Sequence, residues 1–266
     1  MLKCKWCGSN MLSCFQPFST SSSFYAYQAL SEYKRWLCLK CGSMGYITDP
    51  SLIQLENIYV NAWNGDSAAG RFASGSTSSV IAESLISTII GNMDVGKCLD
   101  YGGGNGSLAQ SLKNLNSDVY VFEPYGKPIN DTRLIWLKSW DQLPTNIIFD
   151  WIFMIEVIEH LLNPVQELKK IREHLAPNGK LLITTPNATG WRARIEGEKW
   201  REALNPTHIN LFSPGSLILF LHRAGFSNIH RSLRPVRYHQ TFLSTLALSL
   251  TQLFGIDGSI RVIATP

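Results

Sequence analysis

Three sets of residues in this chain have the types and spacing to do chemistry. The first is Asp100-Tyr-Gly102-Gly-Gly104-Asn-Gly106, an acid followed by glycines at every second position. Glycine is needed where backbone turns tightly and must approach a ligand with no Cβ in the way. An apolar stretch from Cys98 leads into the run, and Ser107 onward reads as a helix. The whole is a strand, glycine loop and helix, a cradle for a nucleotide-like cofactor. A dinucleotide fingerprint would put its third glycine at position 107, where Ser107 stands. Asp100 brings negative charge beside the loop, which suits a cationic ligand better than a pyrophosphate. One strand later, Val119 to Glu123 ends in an acid whose carboxylate can accept both hydroxyls of a ribose.

The second set is Glu156-Val-Ile-Glu159-His160, with His208 further on in Asn205-Pro-Thr-His208. If the first segment winds helically, Glu156, Glu159 and His160 share one face. Two carboxylates and an imidazole on one face, with His208 as a fourth ligand, can hold a divalent cation such as magnesium and leave room for substrate. Without a cation, His160 or His208 is the preferred general base, because imidazole titrates near working pH. The third set is Cys4-x2-Cys7 and Cys38-x2-Cys41, with Gly8 and Gly42 directly after the second cysteine of each pair. In a reducing compartment such pairs read as a metal site rather than as disulfides. Four thiolates close a tetrahedral shell with no open position, so the expected zinc is structural.

The elements that must carry these residues follow from the pattern around them. The chain has 266 residues, 45% hydrophobic and 17% charged, with a net charge of +4. That is enough chain for one large core and a small module, and the mild charge does not by itself argue for nucleic acid. No signal-like segment is read at the start and no run reaches the ~18 apolar residues of a membrane span; a cytoplasmic location is the expectation. Apolar strands are expected at 97–101, 118–123, 133–137, 148–155 and 180–185, with helices at 106–115 and 164–176. Continuous apolar strands fit a parallel sheet covered on both faces. Ser213-Pro-Gly-Ser begins a further helix with serine as N-cap, ending at Ala224-Gly225. Strands near 226–233 and 260–264 complete an α/β sheet of seven. Residues 1–48 form the zinc module and 49–77 a linker with a helical start. Segments 188–207 and 235–258 are insertions into a main domain of 78–266. The first insertion carries Trp191, Trp200, Arg192 and Arg194, suited to a ring and an anionic group. The second holds an apolar stretch, 242–254, suited to a pocket cap, a dimer contact or a membrane surface.

The ordered motifs resemble the class I S-adenosylmethionine-dependent methyltransferases. Leu99-Asp-Tyr-Gly-Gly-Gly-Asn-Gly106 matches their first motif and Glu123 their ribose-binding acid. Phe149 to Leu161, Leu175 to Asn187, Asn210 to Leu217 and Arg223 to Phe226 continue the likeness over residues 78–234. The resemblance implies a Rossmann-like fold, cofactor contacts from Asp100, Gly102, Gly104, Gly106, Glu123, Asp141 and Glu156, and a lid formed by 49–77. Within the superfamily, the chain is similar to the ubiquinone-pathway O-methyltransferases. Its E-V-x-E-H segment with a later histidine also resembles the metal site of small-RNA 2′-O-methyltransferases. Methylation of a small hydroxylated acceptor, a sugar or a phenol, is the leading expectation, with Glu156, His160 and His208 as catalytic candidates. An RNA 2′-O-methyltransferase gripping RNA with the zinc module is the alternative, as is C- or N-methylation of a small metabolite.

Overall fold

Three short strands open the chain: β1 (Leu12–Phe15), β2 (Arg35–Cys38) and β3 (Met44–Tyr46). After the helix Leu52–Asn64 come β4 (Lys97–Tyr101), the helix Ser107–Lys113, β5 (Asp118–Phe122) and β6 (Ile135–Leu137). β7 (Phe149–Ile155), the helix Pro164–Glu173 and β8 (Leu175–Pro186) follow. The helix Trp191–Glu196, β9 (Asn210–Leu211), the helix Pro214–Arg223, β10 (Asn228–Arg231) and β11 (Ser259–Thr265) complete the order. This computed structural model describes residues 2–17, 30, 32–64, 84–90, 95–115, 118–126, 130–232 and 257–266. The expected lid beyond residue 64 and the apolar stretch 242–254 lie outside the described residues.

The main sheet runs β10-β11-β8-β7-β4-β5-β6. β4 pairs in parallel with β5 and with β7, and β7 with β8, while β11 runs antiparallel to β8 and to β10. The order reverses at β4, so the crevice beyond its carboxyl end is the topological switch point where ligands bind in open α/β sheets. The apolar runs are buried on both faces. Leu99, Ile152, Met154, Leu181 and Ile183 pack on one side, and Cys98, Val119, Val121, Phe153 and Leu182 on the other. Strand β8 begins at Leu175, five positions before the expected start, with a register shift against β7 between Phe149 and Trp151. Gly179 makes that close approach possible, since a Cβ there would lie 2.9 Å from the Phe149 carbonyl oxygen.

The second sheet is less expected. Its order is β1-β2-β3-β9, so a strand from residues 210–211 completes the N-terminal sheet across the boundary drawn at residue 48. Met44 pairs with Leu211 and Gly45 with Asn210. A Cβ on Gly45 would lie 2.8 Å from Trp6 and 2.9 Å from Trp36, so only glycine lets the two indoles pack there. Trp6 is fully buried and meets Trp36 edge-on at 4.5 Å and the rings of Phe212 and Phe220 at 6.0 Å each. The N-cap of helix Pro214–Arg223 is shared as well. Ser213 and Ser216 form a capping box, and Ser43 Oγ donates to Ser216 Oγ at 2.8 Å while accepting from Ser213 N.

Trp200, expected as a stacking platform, is instead buried against Phe15, Met44 and Leu211; only Trp191 of that pair is exposed. The indole supplies large apolar area, and the adjoining module offered the place to bury it.

Because Trp6 belongs to the same core as Phe212 and Phe220, Trp6→Ala should destabilise the protein by about 3–5 kcal/mol. We expect the loss in one shared unfolding transition in denaturant. A separate early transition of the N-terminal module, with the main one unmoved, would contradict this packing.

Candidate functional site

The glycine loop joins the end of β4 to helix Ser107–Lys113. Gly102, Gly104 and Gly106 hold φ values of 74°, 56° and 80°, the left-handed region that side chains disfavour. Space is as restrictive as conformation at Gly102, where a Cβ would lie 2.5 Å from Val157. The loop therefore abuts the segment that leaves β7. Glu123, at the end of β5, grips the loop through its carboxylate. Oε2 accepts from the Gly104 amide at 3.0 Å, and Oε1 from the Tyr125 and Gly126 amides at 2.9 and 3.0 Å. A carboxylate has about four acceptor sites, so one lone pair remains for a ligand hydroxyl.

Asp100 sits differently from its expectation as a charge beside the loop. It is 2% exposed and lies under Gly103, whose Cβ would come 2.9 Å from its Oδ2. Burial pushes its carboxyl up to about 7, against the lowering effect of a hydrogen bond from the Ala109 amide. Oδ2 is buried with no hydrogen-bond partner. Asp141 is exposed on the turn Trp140–Gln142 after β6.

At the carboxyl end of β7 the chain turns sharply. Glu156 has φ 55°, the one positive value on a non-glycine among the described residues, and such strain concentrates at functional sites. Its amide donates to the Thr184 carbonyl, and Thr184 Oγ1 donates to its Oε1 at 3.0 Å. Burial among the surrounding walls, opposed by Thr184, drives the Glu156 carboxyl upward. The side chain is open to the cleft mouth, and solvent there limits the size of that shift.

Glu159 is wholly buried. Thr185 Oγ1 donates to its Oε2 at 2.9 Å, whereas Oε1 has no hydrogen bond and faces His160 Nε2 at 4.0 Å. Burial first, and the Glu156 charge second, raise its carboxyl well above the ordinary range. His160 Nδ1 lies 3.0 Å from the Thr207 carbonyl oxygen. A carbonyl only accepts, so Nδ1 carries the proton and Nε2 offers a lone pair. Burial brings His160 down to about 4.

The His208 ring lies 4.7 Å from that of His160. Its Nε2 accepts from the Asn205 amide at 2.9 Å, and its Nδ1 is buried without a hydrogen bond, 3.4 Å from Glu202 Oε2. Burial, then His160, then the Arg35 charge keep it well below the usual imidazole range.

Glu159, His160 and His208 thus converge, with one potential ligand atom from each within 4.8 Å of the others. Glu156 is not in that group; its carboxyl accepts from Thr184 and faces the Glu159 carboxyl. The donor set offers a divalent cation Glu159 Oε1, buried without a partner, and the His160 Nε2 lone pair; His208 Nε2 joins them only on release of the Asn205 side-chain amide. The four cysteines also converge. Cys4 and Cys41 Sγ atoms are 3.7 Å apart, and those of Cys7 and Cys38 3.6 Å. Thiolates at ~2.3 Å from a tetrahedral zinc would lie ~3.8 Å apart. Gly8 and Gly42, at φ 71° and 75°, close the two knuckles in matching fashion: each amide donates to the carbonyl of the first cysteine of its pair.

Two residues given no site role from the sequence complete the cleft. Tyr59, from the helix Leu52–Asn64, stacks on Tyr125 at 5.1 Å and meets His160 edge-on at 5.9 Å. The helix is anchored by Leu55 and Ile58 against Tyr46 and Ile209, and Ser51 and Gln54 cap its start reciprocally. The apolar spacing announced the helix, but not which aromatic would cross the cleft.

The strand order and the glycine cradle at its switch point define a class I S-adenosylmethionine-dependent methyltransferase. Residues 79–231 match the family model described as a methyltransferase domain, and the chain belongs to that family. A ubiquinone biosynthesis O-methyltransferase of Rickettsia akari is 28% identical over 159 residues, covering 55% of this chain and 63% of the relative. One from Xanthomonas euvesicatoria is 26% identical over 147 residues, covering 48% and 62%. The chain therefore spans less than two thirds of the length of these relatives. Among solved structures, a methyltransferase of Archaeoglobus fulgidus aligns over 72% of this chain and 95% of its own, with a TM-score of 0.53 and 18% identity. The 1,6-didemethyltoxoflavin-N1-methyltransferase of Burkholderia thailandensis aligns over 86% and 98%, with a TM-score of 0.56 and 12% identity. These two show the fold.

Asp100 gives a pH prediction. A buried carboxyl whose pKa is raised in the folded state contributes stability that is full below about pH 4 and lost as pH rises through about 7. Asp100→Asn should flatten the decline in Tm between those values in the ligand-free protein, as read by calorimetry. An unchanged slope would mean that Asp100 is ionised throughout.

Proposed function

We propose that the chain transfers the methyl group of S-adenosylmethionine to an oxygen of a small hydroxylated acceptor, a sugar or a phenol, in a biosynthetic pathway. The observation that carries this reading is the convergence of Glu159, His160 and His208 beside the glycine loop, with Glu159 Oε1 buried and unbonded. The ubiquinone-pathway relatives, named as O-methyltransferases, support it.

S-adenosylmethionine supplies a methyl already activated on a sulfonium, so the protein's task is alignment and exclusion of water. In this reading Gly102, Gly104 and Gly106 let the backbone approach the cofactor. Glu123 both braces the loop and accepts from the ribose, and Asp100 acts through the loop by holding it from beneath. Glu156, open at the rim, faces the methyl donor or the acceptor. Tyr59 and Tyr125 wall the cleft against solvent. A divalent cation such as magnesium, held by Glu159, His160 and His208, would lower the pKa of a bound hydroxyl. Glu159 is the anionic ligand, and Thr185 and the Thr207 carbonyl orient Glu159 and His160. The four cysteines hold a structural zinc.

A small acceptor is favoured over RNA by the state of the basic residues in the N-terminal module. Arg35 is buried and Lys5 is paired with Asp49, leaving Lys3, Lys34 and Lys40 exposed. Among the described residues no helix is long and apolar enough to cross a membrane.

Two measurements test the reading. Glu123→Ala removes the acceptor of three backbone amides and should weaken S-adenosylhomocysteine binding by on the order of 100-fold in calorimetric titration; an affinity within threefold of wild type, about 0.6 kcal/mol, would contradict the assignment. Chelation that demonstrably strips the acceptor-site cation should abolish turnover of catechol-like or sugar acceptors, and undiminished turnover would overturn the metal-assisted reading.

A further inference from the structure

The segment 205–210 is held from two sides. Toward the cleft, the Ile209 amide donates to the Glu159 carbonyl at 2.8 Å, the Thr207 carbonyl accepts from His160, and Asn210 Nδ2 donates to the Leu161 carbonyl at 2.6 Å. Toward the N-terminal module, Arg35 Nη2 donates to the Asn205 carbonyl at 2.8 Å and the Tyr46 hydroxyl to the Pro206 carbonyl at 2.9 Å. Arg35 and Tyr46 form a unit, the guanidinium lying 4.1 Å from the ring centroid. Both are fully buried and sit on β2 and β3, directly paired as Arg35 with Tyr46. β2 and β3 flank the second cysteine knuckle, and the strand after His208 extends the same sheet.

We infer that Arg35 and Tyr46 are positioning residues for His208: the cysteine module sets the acceptor-site geometry by fixing the carbonyls of Asn205 and Pro206. Burying an arginine is costly. Nη2 of this one donates to a backbone carbonyl three residues before a candidate ligand, and its planar face lies against Tyr46. Asn205 then relays the constraint: its side-chain oxygen accepts from the Thr207 amide, and its side-chain amide, donating to His208 Nε2, holds the ring in place until a cation takes that lone pair. The module's role in this inference is local: it shapes the cation site and leaves the glycine loop untouched.

The inference rests on the cation reading given above, and the test separates the two. Manganese(II) binding to the zinc-loaded protein is measured by electron paramagnetic resonance, alongside zinc content and S-adenosylhomocysteine affinity. Tyr46→Phe keeps the ring and removes the hydroxyl; Arg35→Lys keeps the charge and removes the fork. Each should retain zinc and bind S-adenosylhomocysteine within twofold of wild type, yet weaken manganese binding about tenfold, the usual cost of losing an outer-shell contact. His208→Ala should abolish manganese binding. Ser43→Ala, which perturbs the helix-cap side of the same interface, should leave it unchanged. If His208→Ala abolishes binding while Tyr46→Phe and Arg35→Lys bind like wild type, the inference fails and the cation reading stands. Equal loss in Ser43→Ala would assign the effect to general loosening and also overturn the inference. If wild type takes up no manganese, or His208→Ala does not change its uptake, the cation reading falls and the inference with it.

Discussion

The pairing of β3 with β9 is the contact on which the arrangement of this molecule depends. It is only two residues long, Met44 with Leu211 and Gly45 with Asn210. Backbone hydrogen bonds over so short a length contribute little alone, and the pair persists because side chains on both faces are committed to it. Trp6 and Phe212 lie in one core, Met44, Leu211 and Trp200 in another, and Tyr46 and Ile209 in a third. A module carrying four clustered cysteines is thereby built into the wall of the cleft. Small modules with little core of their own often use a metal for rigidity, and this one shares its sheet with the strand that follows His208.

The acids around the cleft are satisfied unequally. By the glycine loop, the Glu123 carboxylate accepts three backbone amides, while Asp100 beneath the loop keeps one oxygen buried without a hydrogen bond. Beyond β7 the groups have fewer partners still. Glu159 retains a buried oxygen without a hydrogen bond, and His160 and His208 are held neutral by burial. A buried unpaired acceptor costs free energy that a cation would recover. Tyr59 and Tyr125 close the gap between the halves, and Gly102 keeps them close by leaving room for Val157.

Much of the sheet was legible in the chain because local patterns carried it. Apolar runs at 97–101, 118–122 and 149–155 are strands of a covered parallel sheet, and the chain from Ser213 to Gly225 holds its cap, its helix and its left-handed stop. The cysteine knuckles were legible for the same reason: spacing and glycine placement are local. The role of Trp200 was not, because an aromatic side chain on an insertion packs wherever a partner surface lies, and that surface is far away in sequence. Asp100 was legible as an acid by the loop, but its burial beneath Gly103 depends on how the helix start folds back over β4.

The sequence by itself determined the class of sheet, the glycine cradle, the acid at the end of the next strand and the two cysteine pairs, since each is encoded within a few residues of itself. It also named Glu159, His160 and His208. Only the tertiary structure decided that these three converge while Glu156 turns to Thr184, and that Arg35 and Tyr46 hold the segment bearing His208. Bringing His208 to a pair 48 and 49 positions earlier is a property of packing and strand pairing, and no local pattern encodes it.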